Sequence, residues 1–92
     1  MLRKYEIKYT CEVTNENNEK SIVEKITSMY STCFAKAYDD FIEYSEIFNT
    51  QIPCNEKIIV NENIRLRLVG EYELEKDSSL RFIPEENPKD FI

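Results

Sequence analysis

"SIVEKITSMY", residues 21 to 30, can be read in two ways, and the choice decides the fold. As a strand it sends Ile22 and Ile26 to one face and Val23 and Met29 to the other. As a helix it aligns Ile22, Ile26, Met29, Tyr30 and Cys33 and fuses with the next segment. That helix would run to about 30 residues, far beyond the mean of about 11–12. β-Branched Ile, Val and Thr, with two serines, favour the strand. A hairpin with the segment before it is therefore expected.

The preceding segment is the clearest in the chain. Tyr5, Ile7, Tyr9, Cys11 and Val13 alternate with Glu6, Lys8, Thr10 and Glu12. This period of two makes a strand with one buried and one wet face. "NENNEK", residues 15 to 20, is a polar turn between the two strands.

The following stretch, "YSTCFAKAYDDFIEYSEIFN" (30 to 49), changes period. Phe34, Ala37, Tyr38, Phe41, Ile42, Ser45 and Phe48 fall on one face of a helix. Ser31 or Thr32 is expected to cap its start, and Asn49, Thr50 and Pro53 to end it. Asp39, Glu43 and Glu46 share the opposite face, with Lys36 and Asp40 nearby and Ile47 among them.

Beyond the helix, "EKIIV" (56 to 60) reads as a strand, and "NEN" (61 to 63) as a tight connection. The run "IIV" breaks alternation, as in a strand covered on both faces or at an oligomer contact. In "IRLRL" (64 to 68) Ile64, Leu66 and Leu68 point inward, with Arg65 and Arg67 outward. Gly70 is the only glycine. It stays in phase, so the pattern predicts a bend or bulge in one long strand, with a turn as the alternative. Tyr72 and Leu74 are then expected inward, with Glu71, Glu73 and Glu75 outward on the face of the arginines. "KDSS" (76 to 79) turns the chain into a last strand, "LRFI".

The expected fold is α+β: a single antiparallel sheet of order β-β-α-β-β-β, with one amphipathic helix packed on one face. Residues 1–84 form the single domain, and 85–92 an extended C-terminal tail with Phe91 and Ile92 as docking candidates. Ninety-two residues suit one core. Eleven aromatics, five Phe and six Tyr, separate the chain from disordered sequences.

Absent residue types exclude most chemistry. No His means no Ser-His or Cys-His nucleophile pair. One Gly excludes Gly-rich phosphate loops. Cysteines stand at 11, 33 and 54, an odd number with no CxxC pair. A disulfide framework or thiolate zinc site is not expected, and a reducing cytoplasm is. Cys33, near the helix start, reads as a small buried residue rather than an activated thiol. Cys54, beside Pro53, reads as exposed. "MLRKYEIKYT" lacks the apolar run of a signal peptide. No cofactor, metal or catalytic residue is expected, and so no enzyme.

Formal net charge is −6, with six Lys/Arg and nine Asp/Glu in each half of the chain. Affinity for nucleic acid comes largely from cations that neutralise phosphates, so direct nucleic-acid binding is not expected. Arg65, Arg67 and Arg81 are better read as cross-strand ion pairs than as a basic site. An acidic domain suits a protein partner with a basic surface. The candidate partner-binding residues are Asp39, Asp40, Glu43, Glu46 and Ile47 on the outer helix face. Abundant Ile, Asn, Lys, Glu and Tyr, with scarce Gly, Ala and Pro, point to an AT-rich genome, such as a low-GC bacterium or its phages. The expected function is a non-enzymatic interaction module, of the kind by which a phage or mobile element inhibits a basic, nucleic-acid-binding host protein. One alternative is an assembly subunit that self-associates as a homo-oligomer through a sheet edge. Another is a small-ligand binder using tyrosines between helix and sheet.

Overall fold

A computed structural model describes residues 1–51 and 55–92. The expected helix-ending Pro53 and exposed Cys54 lie outside the described residues. The order is β1 (Arg3–Thr14), β2 (Lys20–Ser31), α1 (Phe34–Asn49), β3 (Glu56–Ile59), β4 (Arg65–Leu74) and β5 (Leu80–Pro84). This is the expected α+β fold: one antiparallel sheet with one helix.

Residues 21–30 are strand. β2 pairs β1 from Arg3↔Ser31 to Thr14↔Lys20 without a register shift. The other edge of β1 is shared: β3 takes Thr10 to Val13, and β4 takes Arg3 to Lys8. β5 extends β4 outward. Both hairpin turns close with the same backbone bonds, from the Asn18 N–H to the Asn15 carbonyl and from the Ser78 N–H to the Glu75 carbonyl, and each adds a side-chain acceptor. Asn15 Oδ1 accepts from the Asn17 and Glu19 N–H groups, and Asp77 Oδ1 from the Ser79 N–H. Asn18 and Ser78 adopt positive φ at the matching position.

α1 lies on the face of the odd-numbered β1 residues. Tyr5, Ile7, Cys11, Ala37, Phe41, Ile58, Ile64 and Leu66 form the buried core. Tyr9 packs on Phe41 at 5.0 Å with the rings tilted, and Tyr5 meets Phe34 edge-on at 6.2 Å. Fully burying a side chain the size of Phe41 is worth on the order of 1.5–3 kcal/mol. The Ser45 hydroxyl, also in the core, donates back to the Phe41 carbonyl. Asn49 closes the helix against β3: its amide donates to the Ile58 carbonyl and accepts the Ile58 N–H, at 2.9 and 2.8 Å. Those Ile58 groups face away from β1, so the side chain replaces a missing strand.

Several expectations need correction. The helix starts later, because pairing with Arg3 keeps Ser31 in β2. Cys33 is the N-cap residue, and no side chain bonds the first turn. Cys33 is exposed rather than buried. Phe34 and Tyr38 lie at the rim, 39% and 36% exposed, with only Ala37, Phe41 and Ser45 of the stripe fully buried. Sixteen residues of helix span only about 24 Å, against a longest molecular extent of 55 Å. In the "IIV" run, Ile58 is buried on the helix side, whereas Val60 lies past the strand end and is 48% exposed.

β4 is one strand with the expected bulge, and the largest correction is what that bulge does to the residues after it. Tyr5 pairs with Leu68 but Lys4 with Gly70, so Val69 is a bulge. One extra residue reverses every later side chain. Tyr72 and Leu74 therefore point to the open face of the sheet, not to the core. Glu71 and Glu73 turn to the helix side, away from Arg67. Phe82 lies so close over Gly70 that an added Cβ would stand 2.4 Å from its ring. The tail docks along β4: Leu66 and Ile92 exchange two backbone hydrogen bonds of 2.9 Å. Arg67 stacks over the Phe91 ring at 4.5 Å.

Candidate functional site

The outer face of α1 gathers the five expected residues. Asp39, Glu43 and Glu46 are exposed, Asp40 is half-buried, and Ile47 is 61% exposed. Helical spacing alone places them there, and packing of Ala37, Phe41 and Ser45 turns their side outward. Asp40 accepts from Lys36 at 2.8 Å, one turn earlier. This bond holds the Lys36 ammonium above its ordinary range, with weaker pulls from Glu43 and Asp39.

The acids of this face resemble those of the loops and differ from those of the strands. Every glutamate on a strand is paired or in contact with a cation: Glu6 with Arg67, Glu12 with Lys20, Glu24 with Lys8, Glu56 with Lys25, Glu71 with Arg3, and Glu73 with Arg81. Glu75, just past β4, also meets Arg81. Among the described residues, no cation lies within ion-pair distance of Asp39, Glu43 or Glu46. Nor do these charges serve the helix. No acid sits in its first turn and no base in its last, where the macrodipole favours them. Glu46 stands in the last turn, where a negative charge is disfavoured.

Tyr44 belongs to the same surface and was missed in the sequence. It is 47% exposed, three residues before Ile47, with its ring between Phe41 and Phe48 at 6.2 and 6.0 Å. The i, i+3 spacing to Ile47 is the signal that could have found it.

The open face of the sheet carries a second group. Tyr30, Tyr72 and Phe82 form a row, with ring separations of 5.9 and 5.2 Å and Lys4 over Phe82 at 5.6 Å. Desolvation, then the neighbouring Tyr30, hold the Tyr72 phenol above its ordinary range. The bulge at Val69 creates this row, so alternation could not show it. Two other cations of this face are held by carboxylates: Arg67 bonds Glu6 at 2.8–2.9 Å, and Lys8 bonds Glu24. A cavity of about 450 Å³ beside Phe91 is lined by charges of both signs, including Lys8, Glu24, Arg65 and Asp90.

Among the described residues, no group of three or more Cys, Asp or Glu is placed to hold a metal ion. No helix there is long and apolar enough to cross a membrane. No family model, curated protein sequence or solved structure matches the chain.

Proposed function

We propose that the chain is a non-enzymatic protein-interaction module whose outer α1 face engages a basic partner surface. The observation that carries this reading is the contrast in charge pairing. Strand acids are neutralised within the fold, whereas Asp39, Glu43 and Glu46 are left unpaired around the exposed Ile47 and Tyr44. An apolar centre beside three unpaired carboxylates suits a protein–protein contact: the centre supplies desolvation, and the charges steer and select. The class of partner follows from the charge. A nucleic-acid-binding protein presents the required cations, and occupying them would inhibit it. A phage or mobile-element inhibitor acting in a reducing host cytoplasm is the biological setting this proposal favours.

Affinity capture from the native cell tests it, run in parallel with wild type and with Asp39→Lys/Glu43→Lys/Glu46→Lys. The expected result is a basic protein retained by wild type and lost with the triple variant, while circular dichroism shows both folded. The same protein retained equally by both would remove this face from consideration.

A further inference from the structure

We propose that the free edge of β2 pairs antiparallel with β2 of a second copy of this chain, about a two-fold axis through Ile26. This contact is independent of the acidic face of α1.

β2 is an edge strand of unusual openness. It runs from Lys20 to Ser31 with no proline, no glycine and no bulge, and pairs only with β1. Natural edges are usually short, kinked or guarded by free charge. Here the charges are spent inside the chain: Lys20 on Glu12, Glu24 on Lys8, and Lys25 on Glu56. The apolar side chains are not covered. Ile22, Ile26 and Tyr30 are 60%, 53% and 49% exposed.

The direction of each backbone group follows from the ladder. Leu66 exchanges both its hydrogen bonds with Ile92, so these groups face away from β1. Its opposite, Ile7, must then face β2, where it meets Thr27. Alternate residues reverse. Ile22, Glu24, Ile26, Ser28 and Tyr30 therefore aim their N–H and C=O groups at the open edge. Asn15 to Lys20 close the hairpin at one end, so the edge is available from residue 21 onward.

A two-fold antiparallel pairing has few registers, and side chains separate them. An axis at Glu24 sets two glutamates opposite each other, and one at Lys25 sets two lysines opposite. An axis at Thr27 faces Ile26 with Ser28. An axis at Ile26 sets Ile26 against its copy, Ile22 against Tyr30, Val23 against Met29, Glu24 against Ser28, and Lys25 against Thr27. No like charges meet, apolar residues face apolar residues on both sides of the sheet, and residues 21–31 are all used. Such an interface is isologous, as two-fold symmetry requires. It joins two sheets into one and keeps both helices on the same side.

The test is sedimentation equilibrium across a dilution series, with the register probed by cysteines. A dimer of twice 11.0 kDa is expected. Ile26→Lys, at an exposed site, should weaken association by tenfold or more. In a Cys33→Ser/Cys54→Ser background, Ile26→Cys should cross-link to itself under mild oxidation, because opposed Cα atoms of a hydrogen-bonded pair lie about 5.5 Å apart. Ser28→Cys alone should not. Residue-resolved amide exchange should show 22, 24, 26, 28 and 30 protected only at high concentration. A monomer throughout, an unaffected Ile26→Lys dimer, or self-linking at 28 instead of 26 would each overturn the proposal. Edge amides protected only by a different protein would do the same.

Discussion

Gly70→Ala is the substitution that most sharply probes the bulge. In the structure, an alanine Cβ would lie 2.4 and 2.5 Å from two ring carbons of Phe82 and 2.7 Å from the Ile83 carbonyl oxygen. The ring can swing outward, since Phe82 is 39% exposed. The carbonyl cannot, because it belongs to β5, whose ladder pairs Glu71 with Ile83 and Gly70 with Pro84. Overpacking of this kind costs about 1–3 kcal/mol. Removing a strand glycine returns about 0.5–1 kcal/mol of backbone entropy. The net expectation is a loss of about 1–2 kcal/mol. A domain of this size loses about 4–8 °C in melting temperature per kcal/mol. Urea and thermal denaturation followed by circular dichroism measure the loss. Amide exchange should place it in β5 and in Glu71 to Leu74, not in α1. Gly70→Ala/Phe82→Ala should recover only the part due to the ring. A Gly70→Ala protein as stable as wild type would refute the close approach, and with it the reversal of Tyr72 and Leu74.

Other outcomes follow from the core and its edges. Phe41→Ala should cost about 3–5 kcal/mol in urea denaturation, whereas the rim residues Phe34 and Tyr38 should cost clearly less. Asn49→Ala removes two hydrogen bonds to Ile58, for a loss of about 1–3 kcal/mol, and amide exchange should rise at Ile58 first. In a Cys54→Ser background, a disulfide reagent should label exposed Cys33 in the native state and buried Cys11 only on unfolding. Burial holds the Cys11 thiol and the Tyr9 phenol above their ordinary values. The unfolded chain therefore loses these protons first as pH rises past about 8.5 for Cys and about 10 for Tyr. Stability from these groups is complete below that range and declines through it. A urea midpoint that rises with pH there would contradict the assignment.

Local pattern made most of the sheet legible. Tyr5 to Val13 alternate because one face packs on α1, and β2 shows the same period with weaker contrast. The acids of α1 were legible because helical spacing fixes which residues share a side. Three features were not. A bulge was expected beside Gly70, but the reversal of Tyr72 and Leu74 that it causes leaves no trace in alternation, because an in-phase glycine looks like continuity. The exposure of Phe34, Tyr38 and Cys33 depends on how far a short helix reaches across a long sheet. The unpaired state of Asp39, Glu43 and Glu46 depends on cations that lie elsewhere in sequence, held by other carboxylates.

If Asp39, Glu43 and Glu46 act on a partner as proposed, the fold does not depend on their charge. Asp39 and Glu43 are one turn apart, Glu43 and Glu46 three residues apart, and Glu46 opposes the helix dipole. Like-charge pairs at such spacings cost about 0.2–0.5 kcal/mol each. The direct measurement is the urea midpoint of Asp39→Asn/Glu43→Gln/Glu46→Gln at low ionic strength, where side-chain shape is kept and only charge is lost. The expected midpoint equals or exceeds that of wild type. A midpoint clearly below it would show that the charges hold the domain together, and would contradict their assignment to a partner.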